Sequence, residues 1–183
     1  MNNLLKKSRE VKKDADKILY DSKLIKILEK FGEVEITGSY AADLMMTGDI
    51  DIHLFGKFDI VKAKEILNSI IDQTTFTGYM FFDWVTYRNL DFPVGYYIGL
   101  KQKIKGYEHQ WKIDIWLVEK DRDESIKYMQ KLRNVTDQEK LAILSLKKWR
   151  DEKRLDLSST KIYDAVIDKG TRTIQEFKKE LRR

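Results

Sequence analysis

Between residues 3 and 31 apolar side chains recur at helical spacing, with Val11, Ile18, Leu19, Leu24, Ile25, Ile27 and Leu28 set among lysines and glutamates. The pattern predicts one or two amphipathic helices that stop near Gly32, a residue suited to a helix end. Glu33 to Thr37 is short and rich in β-branched residues, which predicts a strand. Gly38-Ser39 follows, and Tyr40 to Met46 has the composition of a short helix. Past Gly48 the period changes to two. Asp49, Asp51 and His53 fall on one face of a strand, and Ile50, Ile52 and Leu54 on the other. From Phe58 to Gln73 helical spacing returns through Ile60, Val61, Ile66, Leu67, Ile70 and Ile71.

An aromatic, β-rich region runs from Thr75 to Val118. It divides into Tyr79 to Tyr87, Gly95 to Ile104 and Gln110 to Val118, with Gly106 marking a hairpin connection. Pro93, the single proline, belongs in a loop or at a strand edge. The remainder is helical in pattern, with helices expected near 123–133, 137–152, 158–169 and 172–182. Thr136 and Glu139 have the spacing of a capping box, and Gly170-Thr171 separates the last two helices. The expected class is α/β (α+β): a mixed β-sheet with flanking helices over 1–120, then a C-terminal helical region over 121–183.

Composition narrows the chemistry. Hydrophobic residues make up 42% of the 183, so the chain can bury a core. The formal net charge of +5, from 35 basic and 30 acidic residues, suits an anionic ligand and equally a solvated charged surface. With no cysteine, disulfides, zinc–thiolate sites and thiol catalysis are excluded. No stretch approaches the roughly 20 apolar residues of a membrane span, and the N-terminus lacks the apolar core of a signal peptide. A cytoplasmic location without membrane contact is the expectation.

Three short elements are candidates for chemistry. In Asp49-Ile50-Asp51, alternation sends both carboxylates to one surface, where they repel unless a cation joins them. Magnesium, which favours carboxylate oxygens and substrate phosphates, is the natural choice. A surface pair is the plain alternative. Asp114 lies between Ile113 and Ile115 in a run that reads as a buried strand, so its charge needs a partner. That partner is either a metal shared with Asp49 and Asp51, or Lys112 or an arginine. Gly38-Ser39, between a strand and a helix, forms either a phosphate seat or a turn with an N-cap serine.

Taken in order, Ile36-Thr37-Gly38-Ser39, Gly48-Asp49-Ile50-Asp51-Ile52 and Ile113-Asp114-Ile115 resemble the DNA polymerase β-like nucleotidyltransferase superfamily, over residues 33–118. The resemblance implies a small, single-catalytic-domain member with a nucleotidyltransferase-type mixed sheet, its catalytic part in 1–120. It implies that Gly38 and Ser39 contact the triphosphate, that Asp49 and Asp51 bind two Mg2+ ions (or Mn2+), and that Asp114 binds the catalytic ion and helps activate a hydroxyl. The implied reaction moves a nucleoside monophosphate from an NTP to a hydroxyl acceptor and releases pyrophosphate. Antitoxin-type members often carry Gly-Ser-x-Ala-Arg. Here Tyr40-Ala41-Ala42-Asp43-Leu44 lies nearer to antibiotic-modifying members, so of the two expected acceptors, a small molecule and a protein side-chain hydroxyl, the small molecule is favoured. The chain is too short for the extra domains of a template-directed or CCA-adding polymerase, and nucleic acid is not the favoured acceptor. The rivals are a non-catalytic or toxin–antitoxin-type binding partner and an RNA-end-modifying enzyme.

Other residues carry weaker signals. His53 shares the face of Asp49 and Asp51, as a phosphate contact or as a plain strand-end residue. His109, in an expected turn, receives no role. Trp84, Tyr87, Tyr96 and Tyr97 suit ring stacking or a sheet core. Lys101, Lys103 and Lys105 share one face, read as a positive rim or as a solvated, edge-protecting face. Lys147, Lys148, Arg150, Lys153 and Arg154 are expected to face solvent.

Overall fold

Five strands pair into one sheet in the computed structural model, which describes residues 3–104, 110–120 and 125–182. They are β1 (Glu33–Ile36), β2 (Asp49–Phe55), β3 (Gly78–Asp83), β4 (Tyr96–Gln102) and β5 (Trp111–Val118), in the order β1-β2-β5-β4-β3. β2 and β5 are parallel and the other pairs antiparallel, so the sheet is mixed. The antiparallel pairing of β4 with β5 agrees with a hairpin, although Gly106, Lys105 and His109 lie outside the described residues.

Alternation along the central strands decides which face is covered. Ile50, Ile52 and Leu54 of β2, Ile98 and Leu100 of β4, and Ile113, Ile115 and Leu117 of β5 are buried together. Three helices pack over them: α1 (Asn3–Asp16), α2 (Leu24–Leu28) and α4 (Ile60–Gln73) contribute Val11, Leu24, Leu28, Ile66 and Ile70. Each such side chain removed from water contributes about 1.5–3 kcal/mol before entropy is counted. A π-helical turn at Lys17–Asp21, followed by left-handed Lys23, divides the N-terminal helical stretch in two.

The short helix after β1 corrects the expectation of Tyr40 to Met46. Helix α3 spans Gly38–Ala41 and ends before Asp43, whose φ is 58°. The cause is a division of labour between neighbours. Leu44 is buried in a second, C-terminal core while Met45 enters the first, and the Asp43 carboxylate is held by Lys12 at 2.6 Å and Lys140 at 3.2 Å.

That second core belongs to α5 (Ser125–Arg133), α6 (Asp137–Glu152), α7 (Ser159–Ile167) and α8 (Ile174–Glu180). Leu132, Ile143, Leu144, Leu146, Ile162, Val166 and Phe177 meet there, together with Ala42 and Leu44. The capping box at Thr136 and Glu139 forms as its spacing predicts, and Thr173 with Glu176 forms another. β3 ends at Asp83, not Tyr87, because the Asp83 carboxylate accepts from the amides of Val85 and Thr86 and turns the chain. The last two helices are each shorter than expected by a few residues.

The uncovered face of the sheet is closed only in part. Helix α5 lies over its β1–β2 side, where Met129 packs with Phe55 and Val118 and Arg133 pairs with Glu35. The β4–β3 side stays open.

Candidate active site

Strand register lays the polar face out in rows. Asp49 is opposite Lys112, and Lys112 is opposite Lys101. In the next row Asp51 is opposite Asp114, and Asp114 opposite Gly99. His53, Trp116, Tyr97 and Phe82 make the row beyond. The three sequence-predicted carboxylates therefore occupy two adjacent rows on parallel neighbours.

Gly38 lies beside Asp51, with φ at +60°. A Cβ at Gly38 would sit 2.3 Å from Oδ2 of Asp51, so only glycine allows the approach. The backbone amide of Thr37 donates to the carbonyl of Asp51 at 2.8 Å, which locks the turn onto β2. A cleft of about 440 Å³ opens here. Its floor is Asp49, Asp51 and His53, and Thr37, Gly38 and Ser39 form one wall. The other wall comes from the helical tail through Tyr128, Met129 and Leu132 of α5 and Ser159, Thr160 and Tyr163 of α7.

Asp114 is buried next to the cleft rather than lining it. The Tyr97 phenol donates to Oδ1 at 2.5 Å and the Lys112 ammonium to Oδ2 at 2.5 Å. The Lys112 pairing, one of the two alternatives read from sequence, is thus present. Gly99 makes the Tyr97 contact possible, since a Cβ there would lie 2.7 Å from the Tyr97 hydroxyl.

Electrostatics follow from burial and crowding. Asp51 is pushed up to about 6, first by burial, then by the charges of Asp49 and Asp114. Asp49 is raised as well, mainly by loss of water around its carboxylate, although Lys112 pulls the other way. Burial works against the charge of Lys112, but its hydrogen bond to Asp114 prevails and its pKa rises. Among the described residues no group of three acidic or imidazole side chains stands ready to hold a metal ion. The donor chemistry nevertheless fits a hard divalent cation: Asp49 and Asp51 share one face of β2, Asp114 adjoins Asp51, and their mutual repulsion is what such a cation relieves.

Lys147 corrects the expectation of a solvent-facing basic segment. It is 4% exposed on α6, its ammonium donates to the Leu44 carbonyl at 3.1 Å, and it lies 5.0 Å from the centre of the Tyr163 ring. Burial pushes its pKa down to about 7, with the nearby Arg150 adding to the effect and Asp51 and Asp49 opposing it. Arg150 is also turned inward, onto the Leu157 carbonyl and Ser159 Oγ. A signal existed in the sequence, because Lys147 falls three and four residues after Leu144 and Ile143, on the apolar stripe. Lys101 does not protect an edge either. Its strand lies inside the sheet, and it faces the same side as Asp49. Tyr128, Ser159 and Tyr163, which sequence reasoning left out, complete the cleft.

No protein-family profile and no curated protein matches this sequence. Solved structures do match in shape. A cytoplasmic RNA terminal U-transferase superposes with a TM-score of 0.60 at 16% identity, covering 89% of this chain and 53% of its own. Cid1 poly(U) polymerase with MgGTP bound gives 0.63 at 16% identity, covering 86% and 49%. Cid1 in complex with its short product ApU gives 0.57 at 16%, covering 90% and 53%. The fold is that of a nucleotidyltransferase. It is the mixed sheet with flanking helices that the sequence predicts. This chain spans about half the length of these nucleotidyltransferase neighbours.

Proposed function

We propose that this protein transfers a nucleoside monophosphate from a magnesium-bound NTP to a hydroxyl acceptor and releases pyrophosphate. The observation that carries the reading is the register of Asp51 with Asp114, beside Asp49 and against the Gly38–Ser39 turn, at one cleft. Neighbouring folds bound to MgGTP or to the product ApU support it.

In this reading the triphosphate lies along the Gly38–Ser39 wall, and the nucleoside lies between that wall and Tyr128, Ser159 and Tyr163. Asp49 and Asp51 would hold two magnesium ions, with Asp114 sharing the one nearer the acceptor. Bound magnesium would supply charge neutralisation of the phosphates and a lower pKa for the acceptor hydroxyl. The hydroxyl oxygen forms a bond to the α-phosphorus, the bond from that phosphorus to the bridging oxygen breaks, and pyrophosphate departs. We assign to Asp114 the reception of the hydroxyl proton. Each of its oxygens has one donor at present, Tyr97 on Oδ1 and Lys112 on Oδ2, and keeps a further lone pair for that proton. Lys147, buried beneath Tyr163, is near enough to Asp49 and Asp51 for their charges to favour its protonated form against the burial that lowers its pKa.

The acceptor is read as a small molecule or a protein side chain. A nucleic-acid 3′ end is the second reading, supported by the RNA enzymes among the neighbours. The test is a titration of ATP, GTP, CTP and UTP with magnesium, followed by thermal shift and pyrophosphate release. Stabilisation by one nucleotide, abolished in Asp49→Asn and Asp51→Asn, is the expected result. Folded protein that no magnesium nucleotide stabilises would overturn the proposal.

A further inference from the structure

The polar sheet face is divided in two. Over β1 and β2 it is roofed by α5, and the cleft lies beneath that roof. Beyond the part of β5 that packs under Met129, over β4 and β3, it is open and lined by rings. Phe82 stacks on Trp84 with centroids 5.2 Å apart and planes 4° from parallel, and Trp84 stacks on Phe92 at 5.2 Å. Phe92 leans on Trp116 at 5.7 Å, and Trp116 on Tyr97 at 5.0 Å. The series ends at the phenol that holds Asp114. Phe82 and Phe92 keep 44% and 41% of their surface in solvent.

Displacement at phosphorus proceeds in line, with the entering oxygen opposite the departing one. With pyrophosphate against the Gly38–Ser39 wall, the entering hydroxyl comes from the side of Asp114, over this shelf. We infer that the shelf formed by Phe82, Trp84, Phe92 and Trp116 is the acceptor subsite, and that the acceptor carries a flat, uncharged ring beside its reacting hydroxyl. This rests on the proposed nucleotidyl transfer.

Charge distribution selects the ring-bearing small molecule over a polynucleotide. Phosphates crossing the shelf would need lysines or arginines along it. Register places Lys101 and Lys112 two rows away, beside Asp49, whereas the ring row holds His53, Trp116, Tyr97 and Phe82. The Arg88 guanidinium is folded back onto the carbonyls of Asn89 and Phe92, both at 3.0 Å. What the shelf offers is π-surface, which stacks a flat ring and repels nothing neutral.

The experiment uses the whole chain with 4-nitrophenyl β-D-glucoside as the flat-ring alcohol, methyl β-D-glucoside as its ringless control, and a short oligouridylate as the polyanion. Saturation-transfer NMR is expected to mark the nitrophenyl protons and leave the methyl glucoside unmarked. In Phe82→Ser/Phe92→Ser half-saturation should rise about tenfold, while stabilisation by magnesium nucleotide stays at the parent level. Phe82→Tyr, which keeps the ring, should bind as the parent does. Equal binding by the double serine variant, or no ring-dependent signal at all, overturns the shelf. Salt-sensitive oligouridylate binding that the double variant loses would assign it to nucleic acid and also overturn the inference. A concentration-dependent dimer lost in the same variant would assign it to a second copy, with the same consequence. Loss of magnesium-nucleotide stabilisation in the parent is a different failure and falls on the donor site.

Discussion

Tyr97 and Asp114 face each other obliquely across antiparallel strands, the phenol donating to Oδ1 at 2.5 Å. The opposite carboxylate oxygen takes the Lys112 ammonium, so a buried carboxylate between two isoleucines accepts from a donor on each side. Tyr97→Phe removes one donor and leaves a buried charge less well satisfied. The expected cost is about 2 kcal/mol, read as a lower midpoint in urea. An unchanged midpoint would show that Lys112 alone satisfies Asp114.

Crowding of Asp49, Asp51 and Asp114 predicts a trade between stability and binding. Asp51→Asn relieves two repulsions at once and is expected to stabilise the metal-free protein at neutral pH by about 1 kcal/mol. The same change should abolish stabilisation by magnesium and nucleotide. Denaturant unfolding with and without the ligands measures both halves. If the metal-free variant were less stable than the parent, the carboxylate would be serving a structural pairing instead.

The raised pKa of Asp51 gives a pH profile. Its folded value of about 6 lies above its unfolded value, so its stabilising contribution is complete below the ordinary carboxylate range and is lost as pH rises through about 6. Magnesium needs the ionised form, so affinity should fall as pH drops below about 6 and protons compete. Calorimetric titration of magnesium nucleotide between about pH 5 and 7.5 tests the sign. A flat profile would show that Asp51 is already ionised throughout.

Lys147 runs the other way. Burial lowers its folded pKa to about 7, so the unfolded chain holds the proton more strongly and stability from this group grows as pH rises from about 7 to about 10. Lys147→Met, similar in length and content to be buried, should flatten that slope. It should also raise the midpoint at pH 7 while weakening the nucleotide effect. A steeper slope in the variant would assign the pH response to other groups.

At Gly38 the limit is steric. Gly38→Ala must hold an alanine at positive φ and press its methyl onto the Asp51 carboxylate, at a cost of about 2 kcal/mol or more. Loss of nucleotide stabilisation should accompany the fall in thermal midpoint, because both changes act on one carboxylate. A variant with unaltered nucleotide response would place the phosphates elsewhere.

Much of this site was legible in the one-dimensional pattern because strands write their faces in alternate residues. Asp49, Asp51 and His53 declared a common face, and the isoleucines around Asp114 declared burial. What alternation leaves out is register: that Asp114 falls opposite Asp51 depends on how β2 and β5 slide past each other. The α6 capping box was legible too, since caps are local, whereas α2 stops at Leu28, four residues before Gly32. Helix α3 was misjudged because Leu44 and Met45 answer to two cores, a demand invisible to local propensity. Lys147 was misjudged by composition, where its position on the apolar stripe carried the better information. The tail residues of the cleft, Tyr128, Ser159 and Tyr163, reach it only through tertiary packing of α5 and α7.

The parallel union of β2 with β5 has a consequence for how the molecule assembles. Everything from α4 to β4 lies between these strands along the chain, yet they are neighbours in the sheet. Closing such a distant pair is slow, and it rewards the chain only after the intervening segments have collapsed. Until then the acidic side chains of β2 and β5 are strangers, each in its own hydration shell. The repulsion between Asp51 and Asp114 is therefore absent from the early folding ensemble and arises only when β2 and β5 pair. Substitutions that relieve it should slow unfolding while leaving the folding rate nearly unchanged.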